Sequence, residues 1–272
     1  MKIKRKDGSV LEICKSKVYD LTKLGLTDDF LKNLPDNFDN IGTTIYAARN
    51  QIKVLDSNGH KINIKKYCIP PIINRFFYST GLRTPKCISA FINAQKILDV
   101  GFETPKPYAY IIERKNGLIR HSYFISDQIE NAKQVRECHG VSFMQAYALY
   151  TAQIHEKGLF PRDYTPGNIL CRKEDGKYRF FLIDVNRFYF KNKPLTKDQA
   201  PYNLYTTMSS ERALCYFIRC YSKYRGMDEK YLKYKTFLCR RVRAKYSALK
   251  KLLKKIPGVK KLTLKPIKKN NQ

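Results

Sequence analysis

The sequence predicts an α+β fold of two lobes, with an antiparallel sheet and one helix in the first lobe and a mainly helical second lobe. Two observations support this prediction. Short apolar runs joined by turn dipeptides fill much of residues 1–126, as in β-hairpins. Apolar residues at helical spacing occur later in the chain. We therefore place the first lobe at 1–126, the second at 127–256 and a basic tail at 257–272.

The sheet of the first lobe is predicted from two hairpin patterns. A strand with alternating apolar residues covers 61–67, and its partner strand covers 44–55, with Asn58-Gly59 in the turn between them. The second hairpin joins 108–113 to 118–125. Its turn, Asn116-Gly117, is a dipeptide that accepts the positive φ angles of a two-residue hairpin loop.

The helix of the first lobe is predicted over 85–100. Pro85 lies in its first turn and Gly101 lies just past its end, the positions that these two residue types favour. Its apolar residues recur at helical spacing and are Ile88, Phe91, Ile92, Ala94, Ile97 and Leu98.

The stretch 159–170 carries the most informative polar pattern of the chain. It contains Asp163 and, five residues later, Asn168, while Asp184 follows an apolar run that ends at Ile183. Kinase-like phosphotransferases use an aspartate to accept the hydroxyl proton, and an asparagine and a second aspartate to hold magnesium. Carboxylate and amide oxygens are hard ligands that suit this ion. We therefore predict Asp163 as catalytic base, and Asn168 and Asp184 as ligands of the metal and its nucleotide.

The surroundings of this pattern separate it from an ordinary capped turn, which is the alternative interpretation. Two apolar runs, 168–171 and 178–183, are joined by the turn Glu174-Asp175-Gly176 and predict a hairpin. Asp184 then follows the second strand, where its carboxylate can face Asn168. Because motif and context agree, we favour the catalytic interpretation.

Other nucleotide contacts are predicted from the first lobe. Lys65 is a better candidate than Lys66 to bind the phosphates, because it follows an apolar residue of its strand, although alternation alone leaves the register open. A phosphate-covering loop is expected at 39–44, where Gly42 is the one glycine. The segment 126–128 is predicted as the hinge between the lobes.

The chain resembles the bacterial lipopolysaccharide kinase family, the Kdo and heptose kinases with a protein-kinase-like fold. The residues that carry the resemblance are Asn63-Ile64-Lys65-Lys66-Tyr67, Gly101-Phe102-Glu103-Thr104-Pro105-Lys106-Pro107, His155-Glu156-Lys157-Gly158, Asp163-Tyr164-Thr165-Pro166-Gly167-Asn168-Ile169-Leu170 and Ile183-Asp184-Val185-Asn186-Arg187.

The resemblance implies a two-lobed protein-kinase-like fold. It also implies transfer of the ATP γ-phosphate to a sugar hydroxyl of the lipid A–core glycolipid, on Kdo or heptose, at the cytoplasmic face of the inner membrane. The family's roles fall on Lys65 for phosphate, Asp163 as base, and Asn168 and Asp184 for Mg²⁺.

Two departures from the family pattern leave other functions open. Ile92 stands where the helix normally offers a glutamate to the lysine, with Asn93 and Gln95 as the nearby polar residues. Pro161 stands where a histidine often precedes the catalytic aspartate. A catalytically weak or inactive relative is therefore one alternative. A protein kinase is another, but neither Phe-Gly after Asp184 nor a later Ala-Pro-Glu is present, which favours a non-protein acceptor.

The formal charge of +30 is the second strongest signal in the 272 residues. Between residues 238 and 256, apolar residues recur at helical spacing among lysines and arginines, which predicts a basic amphipathic helix. We expect this helix and the tail to meet an anionic membrane surface. Nucleic acid is the competing partner and is not expected, because the aromatic residues lie in apparent core segments instead of stacking motifs.

The expected location is the cytoplasm, peripheral to the inner membrane. Eight cysteines without a Cys-x-x-Cys pair, and no apolar run of signal or spanning type, favour a reducing compartment. The sequence leaves the oligomeric state open.

Overall fold

The computed structural model describes residues 1–253, and these form a two-lobed α+β fold, as predicted. The strands are β1 (Lys2–Lys4), β2 (Val10–Lys15), β3 (Thr43–Ala47), β4 (Gln51–Ser57), β5 (His60–Lys66), β6 (Pro107–Lys115), β7 (Leu118–Asp127), β8 (Lys133–Gln134), β9 (Leu159–Pro161), β10 (Ile169–Glu174), β11 (Lys177–Leu182) and β12 (Phe188–Phe190). The α-helices are α1 (Asp28–Asn37), α2 (Ile72–Ser79), α3 (Lys86–Asp99), α4 (Val141–Glu156), α5 (Pro201–Leu204), α6 (Glu211–Arg225) and α7 (Glu229–Leu253).

The first lobe is built on an antiparallel sheet with the strand order β1-β2-β6-β7-β5-β4-β3. Its predicted hairpins are confirmed. Asn58 and Gly59 turn between β4 and β5, and Asn116 and Gly117 turn between β6 and β7, all with positive φ angles. In the second lobe, Asp175 and Gly176 make the same kind of turn between β10 and β11. Local turn chemistry therefore sets the register of all three hairpins.

One predicted strand of this lobe is wrong. The strand expected over 44–55 is two strands, β3 and β4, which pair with each other across a turn at 48–50. The polar run Arg49-Asn50-Gln51 interrupts the apolar pattern at this turn and is the local signal of the break. As a result, β5 is the third strand of a β3-β4-β5 meander.

Two helices cover opposite faces of the sheet. The predicted helix is confirmed as α3, and Phe91 on it packs edge-on against Tyr110 of β6 at 5.5 Å. On the other face, Leu31 and Leu34 of α1 are buried with apolar residues of the sheet, including Ile62. The lobe therefore holds α1 and α2 in addition to the single helix predicted. Thr27 caps α1 by accepting a hydrogen bond from the Phe30 amide.

The second lobe is assembled around aromatic side chains of α4. Tyr147 is fully buried and packs on Phe180 of β11, at 5.8 Å between ring centroids, and on Phe217 of α6, at 5.1 Å. Ser210 caps α6 at its start, and Gly226 ends it in the left-handed conformation. This core is the platform on which the loops of the candidate site stand.

The last helix leaves this core. Leu232 and Thr236 of α7 are buried, whereas every residue from 241 to 253 is exposed. The helix predicted over 238–256 is thus confirmed as far as Leu253, and its end and the tail 257–272 lie outside the described residues. Among residues 1–253, no helix combines the length and apolar character needed to cross a bilayer.

Gly158 packs closely against the backbone of Lys191, and a substitution there tests this contact. Its φ is +73°, and an added Cβ would overlap the carbonyl oxygen of Lys191. We expect Gly158→Ala to lower the free energy of unfolding by about 1–2 kcal/mol for the left-handed backbone and by a further ~1–3 kcal/mol for the overlap. Gly176→Ala is the matched control, because φ there is +78° but the space is open. Equal losses in urea unfolding would contradict this account.

Candidate active site

A cavity of about 450 Å³ lies between the sheet of the first lobe and the loops of the second. Three of the predicted site residues, Lys65, Asn168 and Asp184, line it together. The predicted hinge borders the same space through Ser126, Asp127 and Gln128. Residues far apart in the sequence therefore converge on a volume that suits a small-molecule ligand.

The loop between β9 and β10 carries Asp163 and Asn168. The Asn168 side-chain amide donates to the Asp163 carbonyl oxygen at 2.9 Å, and the Thr165 amide donates to the same oxygen at 2.9 Å. These bonds fix the backbone of Asp163 while its carboxylate stays half-exposed. They also use the nitrogen of the Asn168 amide, so its Oδ1 remains available to a ligand in the cavity.

A buried chain of hydrogen bonds holds this loop from behind. His155 Nε2 contacts Asn203 Oδ1 at 3.0 Å, and Asn203 Nδ2 donates to the Pro161 carbonyl oxygen at 2.7 Å. Because an amide oxygen only accepts, Nε2 carries the proton and Nδ1 accepts from the Tyr221 hydroxyl at 2.9 Å. Burial lowers the pKa of His155 to about 3, so the imidazole is neutral.

These hydrogen bonds explain how the loop is supported although Pro161 replaces the expected histidine. The sequence pattern included His155 but gave no sign that Asn203, 48 residues away, would link it to the catalytic loop. Proline leaves its carbonyl oxygen as the available backbone acceptor, and Asn203 binds that atom. The loop is therefore supported without a histidine at position 161.

Asp184 is held in an unusual backbone conformation at the end of β11. Its φ and ψ are 57° and 45°, in the left-handed region that costs a non-glycine residue roughly 1–2 kcal/mol. Two bonds from the first lobe fix the flanking backbone. Asn93 Nδ2 donates to the Val185 carbonyl oxygen at 2.8 Å, and the Thr104 hydroxyl donates to that of Leu182 at 2.7 Å. The conformation brings the Asp184 carboxylate into the cavity.

Of the two candidate lysines, the structure places Lys65 at this carboxylate. Its Nζ lies 2.5 Å from Asp184 Oδ1. Lys66 lies on the opposite face of β5, with Nζ 4.8 Å from the centre of the Phe38 ring. Ile64 is buried in the same cluster as Leu31 and Leu34 of α1. Because side chains alternate along a strand, Lys65 points to the opposite face of the sheet, where it lines the cavity.

The structure does not support the assignment of Gly42 to a phosphate-binding loop. Gly42 precedes β3 and is not among the described residues that line the cavity. Its φ is +56°, and an added Cβ would lie 2.5 Å from the Val54 carbonyl oxygen, so glycine is explained by close contact between strands. The β3–β4 turn reaches the cavity instead, through Asn50.

The alignment of Ile92 with the missing glutamate is also wrong. Ile92 is 41% exposed, whereas Ala90 is the residue of α3 that lines the cavity. The α3 segment contains no glutamate, and the acidic partner of Lys65 is Asp184. At the first turn of the same helix, burial lowers the pKa of Lys86, and the nearby charges of Arg49 and Lys65 act in the same direction. Lys86 therefore lies close enough to Arg49 and Lys65 for their charges to act on it, although neither Lys86 nor Arg49 is among the described residues that line the cavity.

Arg187 lies in a segment that carries the family resemblance, but the sequence predicted no role for it. Its Nη1 lies 3.0 Å from Asp163 Oδ2 and 3.4 Å from Oδ1. One nitrogen makes both contacts, and the other guanidinium nitrogens have no hydrogen-bond partner among residues 1–253. The predicted base thus has a cation beside it with donors left for an acceptor.

The hinge contains a carboxyl group with a raised pKa. Burial raises the pKa of Asp127 to about 6, although the Lys106 amide donates to its Oδ1. Asn63 Nδ2 donates to Gln128 Oε1 at 2.6 Å next to it and ties β5 to the hinge. A carboxyl group with this pKa is mostly ionised at pH 7, so the hinge end of the cavity carries negative charge, whereas Lys65 supplies a cation on another part of the wall.

The fold and this site define a protein-kinase-like phosphotransferase. The family model described as "Lipopolysaccharide kinase (Kdo/WaaP) family" matches residues 47–204, which is more than half of the chain. The protein therefore belongs to the Kdo/WaaP lipopolysaccharide kinase family.

Solved structures with a similar arrangement include WaaP in complex with acyl carrier protein, at 14% identity and a TM-score of 0.48, over 78% of this chain and 89% of that chain. Another is the Rio2 kinase–ADP/Mg²⁺–phosphoaspartate complex from Chaetomium thermophilum, at 13% identity and a TM-score of 0.45, over 83% and 71% of the two chains. The search of curated proteins finds no match.

The lowered pKa of His155 predicts a loss of stability in acid. As pH falls below about 6.5, the unfolded chain binds a proton on this residue, but the folded chain does so only near pH 3. Stability from His155 is therefore present above pH 6.5 and falls by about 2 kcal/mol by pH 5. Urea unfolding at both pH values measures it, with His155→Gln expected to show the smaller pH dependence.

His60→Gln serves as the control because His60 is exposed on a hairpin. The difference between variants is the informative quantity, since burial also lowers the pKa of His121, to about 4. An unchanged pH dependence in His155→Gln would show that His155 is not the buried neutral group described above.

Proposed function

We propose that the protein transfers the γ-phosphate of ATP, with Mg²⁺, to a Kdo or heptose hydroxyl of the lipopolysaccharide inner core at the cytoplasmic face of the inner membrane. One observation carries the proposal: Lys65, Asn168 and Asp184 line a single cavity, and Asn168 binds the backbone of Asp163 beside it. Membership of the lipopolysaccharide kinase family supports this class of acceptor.

The residues at the cavity fit a magnesium nucleotide. Asn168 Oδ1 and the Asp184 carboxylate are hard oxygen donors on the same cavity wall, and Lys65 supplies a cation for phosphate oxygens. Magnesium, when bound, neutralises charge on the phosphates. The polar hinge at Asp127 and Gln128 borders the other end of the cavity, which leaves room for a nucleoside there.

Asp163 has the exposure and support that a base requires. Its carboxylate faces solvent, while the bonds from Asn168 and Thr165 fix its backbone and the His155–Asn203 pair holds the preceding Pro161. In the proposed reaction, Asp163 orients the acceptor hydroxyl and takes its proton as the oxygen attacks the γ-phosphorus, while the bond from that phosphorus to the bridging oxygen breaks and ADP leaves. Such positioning supplies much of the rate in phosphoryl transfer.

The acceptor side of Asp163 favours an anionic sugar. Arg187 contacts the base, and Arg162 packs on Tyr189 of β12, with Lys191 and Lys193 following in the chain. An acceptor with a carboxylate or phosphate near its hydroxyl would bind these cations. Kdo is an acidic sugar of this kind, and the phosphorylated core region is another source of negative charge.

The exposed half of α7 supports a peripheral membrane location. Val242, Tyr246 and Leu249 are exposed and recur at helical spacing, with lysines and arginines between them. Cations close to an anionic bilayer contribute about 1 kcal/mol each. Association through α7 would keep a lipid-borne acceptor within reach of the second lobe.

A kinase-like protein with little or no turnover is the second candidate. The observation that favours it is the absence of glutamate from α3, so that Lys65 pairs with Asp184, a residue that magnesium would also use. The two candidates differ in turnover and agree on nucleotide binding. Phosphate transfer by the unsubstituted protein distinguishes the two candidates, because an inactive protein gives none.

Asp163→Asn is expected to lower phosphate transfer to lipid A–core by at least about a hundredfold, the usual contribution of acid–base catalysis, and to leave ATP affinity nearly unchanged. Asp184→Asn is expected to lose the magnesium-dependent part of ATP binding instead. Radiolabel transfer and calorimetry measure the two effects. Asp175→Asn, at an exposed hairpin tip, is the control. Transfer that survives in Asp163→Asn would exclude Asp163 as the base.

Arg187→Gln tests the preference for an anionic acceptor. Removing a charge-assisted contact of about 1.5–3 kcal/mol should raise KM for lipid A–core roughly tenfold or more, with KM for ATP unchanged. Arg187→Lys, which keeps the charge, should recover part of the affinity. Arg212→Gln, at an exposed position on α6, is the control. An equal rise in KM for ATP and acceptor would argue against this role.

A further inference from the structure

The helix α2 exposes Ile72, Ile73 and Phe76 to solvent, while Arg75 and Ser79 bind the protein and Tyr78 packs against its core. Arg75 Nε donates to the Ile119 carbonyl oxygen at 2.6 Å, and Ser79 Oγ accepts from the Ile119 amide at 2.9 Å. Arg75 and Ser79 are four residues apart and so lie on one helical face. Ile72 and Ile73 on the helix are 84% and 65% exposed, the reverse of a normal surface helix.

The exposed apolar surface extends beyond the helix. None of the eight residues of α2 is buried, and Phe76 is 54% exposed. Ile69 before the helix and Leu82 after it are also exposed. Five large apolar side chains within 14 positions exceed the scattered single residues that a soluble surface normally carries, and such surfaces mark binding sites.

The segment that carries this surface has only positive charges in its sequence. Between Asp56 and Asp99 the sequence has no acidic residue. Arg83 lies beside the helix, with its guanidinium carbon 5.4 Å from the Phe77 ring centre and Nη1 2.9 Å from Asn74 Oδ1. Arg75 on the helix is a second basic residue, and the interval also contains Lys86, at the start of α3.

Exposed apolar residues on a segment whose charges are all positive match the interface of an anionic bilayer. Apolar side chains enter the boundary between headgroups and acyl chains, and the cations meet the headgroups. RNA would satisfy the cations but would leave isoleucine side chains in water. A bilayer is therefore the occupant that uses both features.

We propose that α2 inserts Ile72, Ile73 and Phe76 into the interface of an anionic membrane. Because only residues 67–71 separate β5, which carries Lys65, from α2, the nucleotide-binding lobe would stand at the membrane surface. This placement deepens the proposed function, on which it rests for the lipid-borne acceptor. Insertion itself requires no acceptor and is tested without one.

The protein contains no tryptophan, so a single introduced tryptophan reports on one position. In the full chain, Ile72→Trp is expected to shift its fluorescence to shorter wavelength with vesicles of phosphatidylglycerol and phosphatidylethanolamine. Val18→Trp is the control, because Val18 is also largely exposed but is far from α2 in the sequence. Its emission should stay that of a tryptophan in water. Vesicle binding without a shift in Ile72→Trp would overturn the proposal and assign binding to charge elsewhere, including α7.

Vesicle affinity provides a second measurement. Ile72→Ser with Ile73→Ser should lower affinity at least about tenfold, the loss expected from withdrawing even one such side chain from lipid. Val18→Ser with Val141→Ser, at two other exposed valines, should leave affinity unchanged. Thermal unfolding should be the same in both variants, since all four positions are exposed. Equal vesicle affinity in both variants would refute the proposal. An unsubstituted protein that inserts into vesicles but transfers no phosphate would refute only the proposed function.

Discussion

The candidate site depends on the left-handed backbone of Asp184. This conformation is unfavourable for aspartate by itself, and bonds from the first lobe stabilise it on both sides, Asn93 to Val185 and Thr104 to Leu182. The ion pair with Lys65 adds a third link to the sheet. Because α3, the loop before β6 and β5 each supply one of these contacts, the position of the first lobe and the aim of the carboxylate are set together.

The second lobe contributes a rigid support for the other half of the site. A neutral, buried His155 connects α4 and α6 to the catalytic loop through Asn203 and the Pro161 carbonyl oxygen. Each partner in this chain uses its donors and acceptors inside the core, where an unpaired polar group would cost about 1–3 kcal/mol. The network explains why proline is tolerated before the catalytic loop, and how Asp163 is positioned while its carboxylate remains accessible.

Basic residues occur in four different parts of the molecule: at the cavity, beside Asp163, near α2 and along the end of α7. Lys65 lies on the cavity wall beside Asp184, and Arg187 places a cation beside Asp163. Around α2 and along the end of α7, cations accompany exposed apolar residues, a combination that suits a lipid interface better than a nucleic acid. A phosphotransferase acting on an acidic glycolipid would use all of these features.

The sequence by itself determined the features that depend on local chemistry. These include the three hairpin turns, helix α3, and the spacing of Asp163, Asn168 and Asp184, because turn dihedrals, helical period and motif spacing are set by residues near one another in the chain. Tertiary structure decided which side chains meet. Gly42 is not among the described residues that line the cavity, and on α3 Ile92 is exposed while Ala90 lines the cavity. Asn203 contacts His155, and Arg187 contacts Asp163. Exposure and long-range pairing depend on how helices and sheet pack, which a local pattern does not specify.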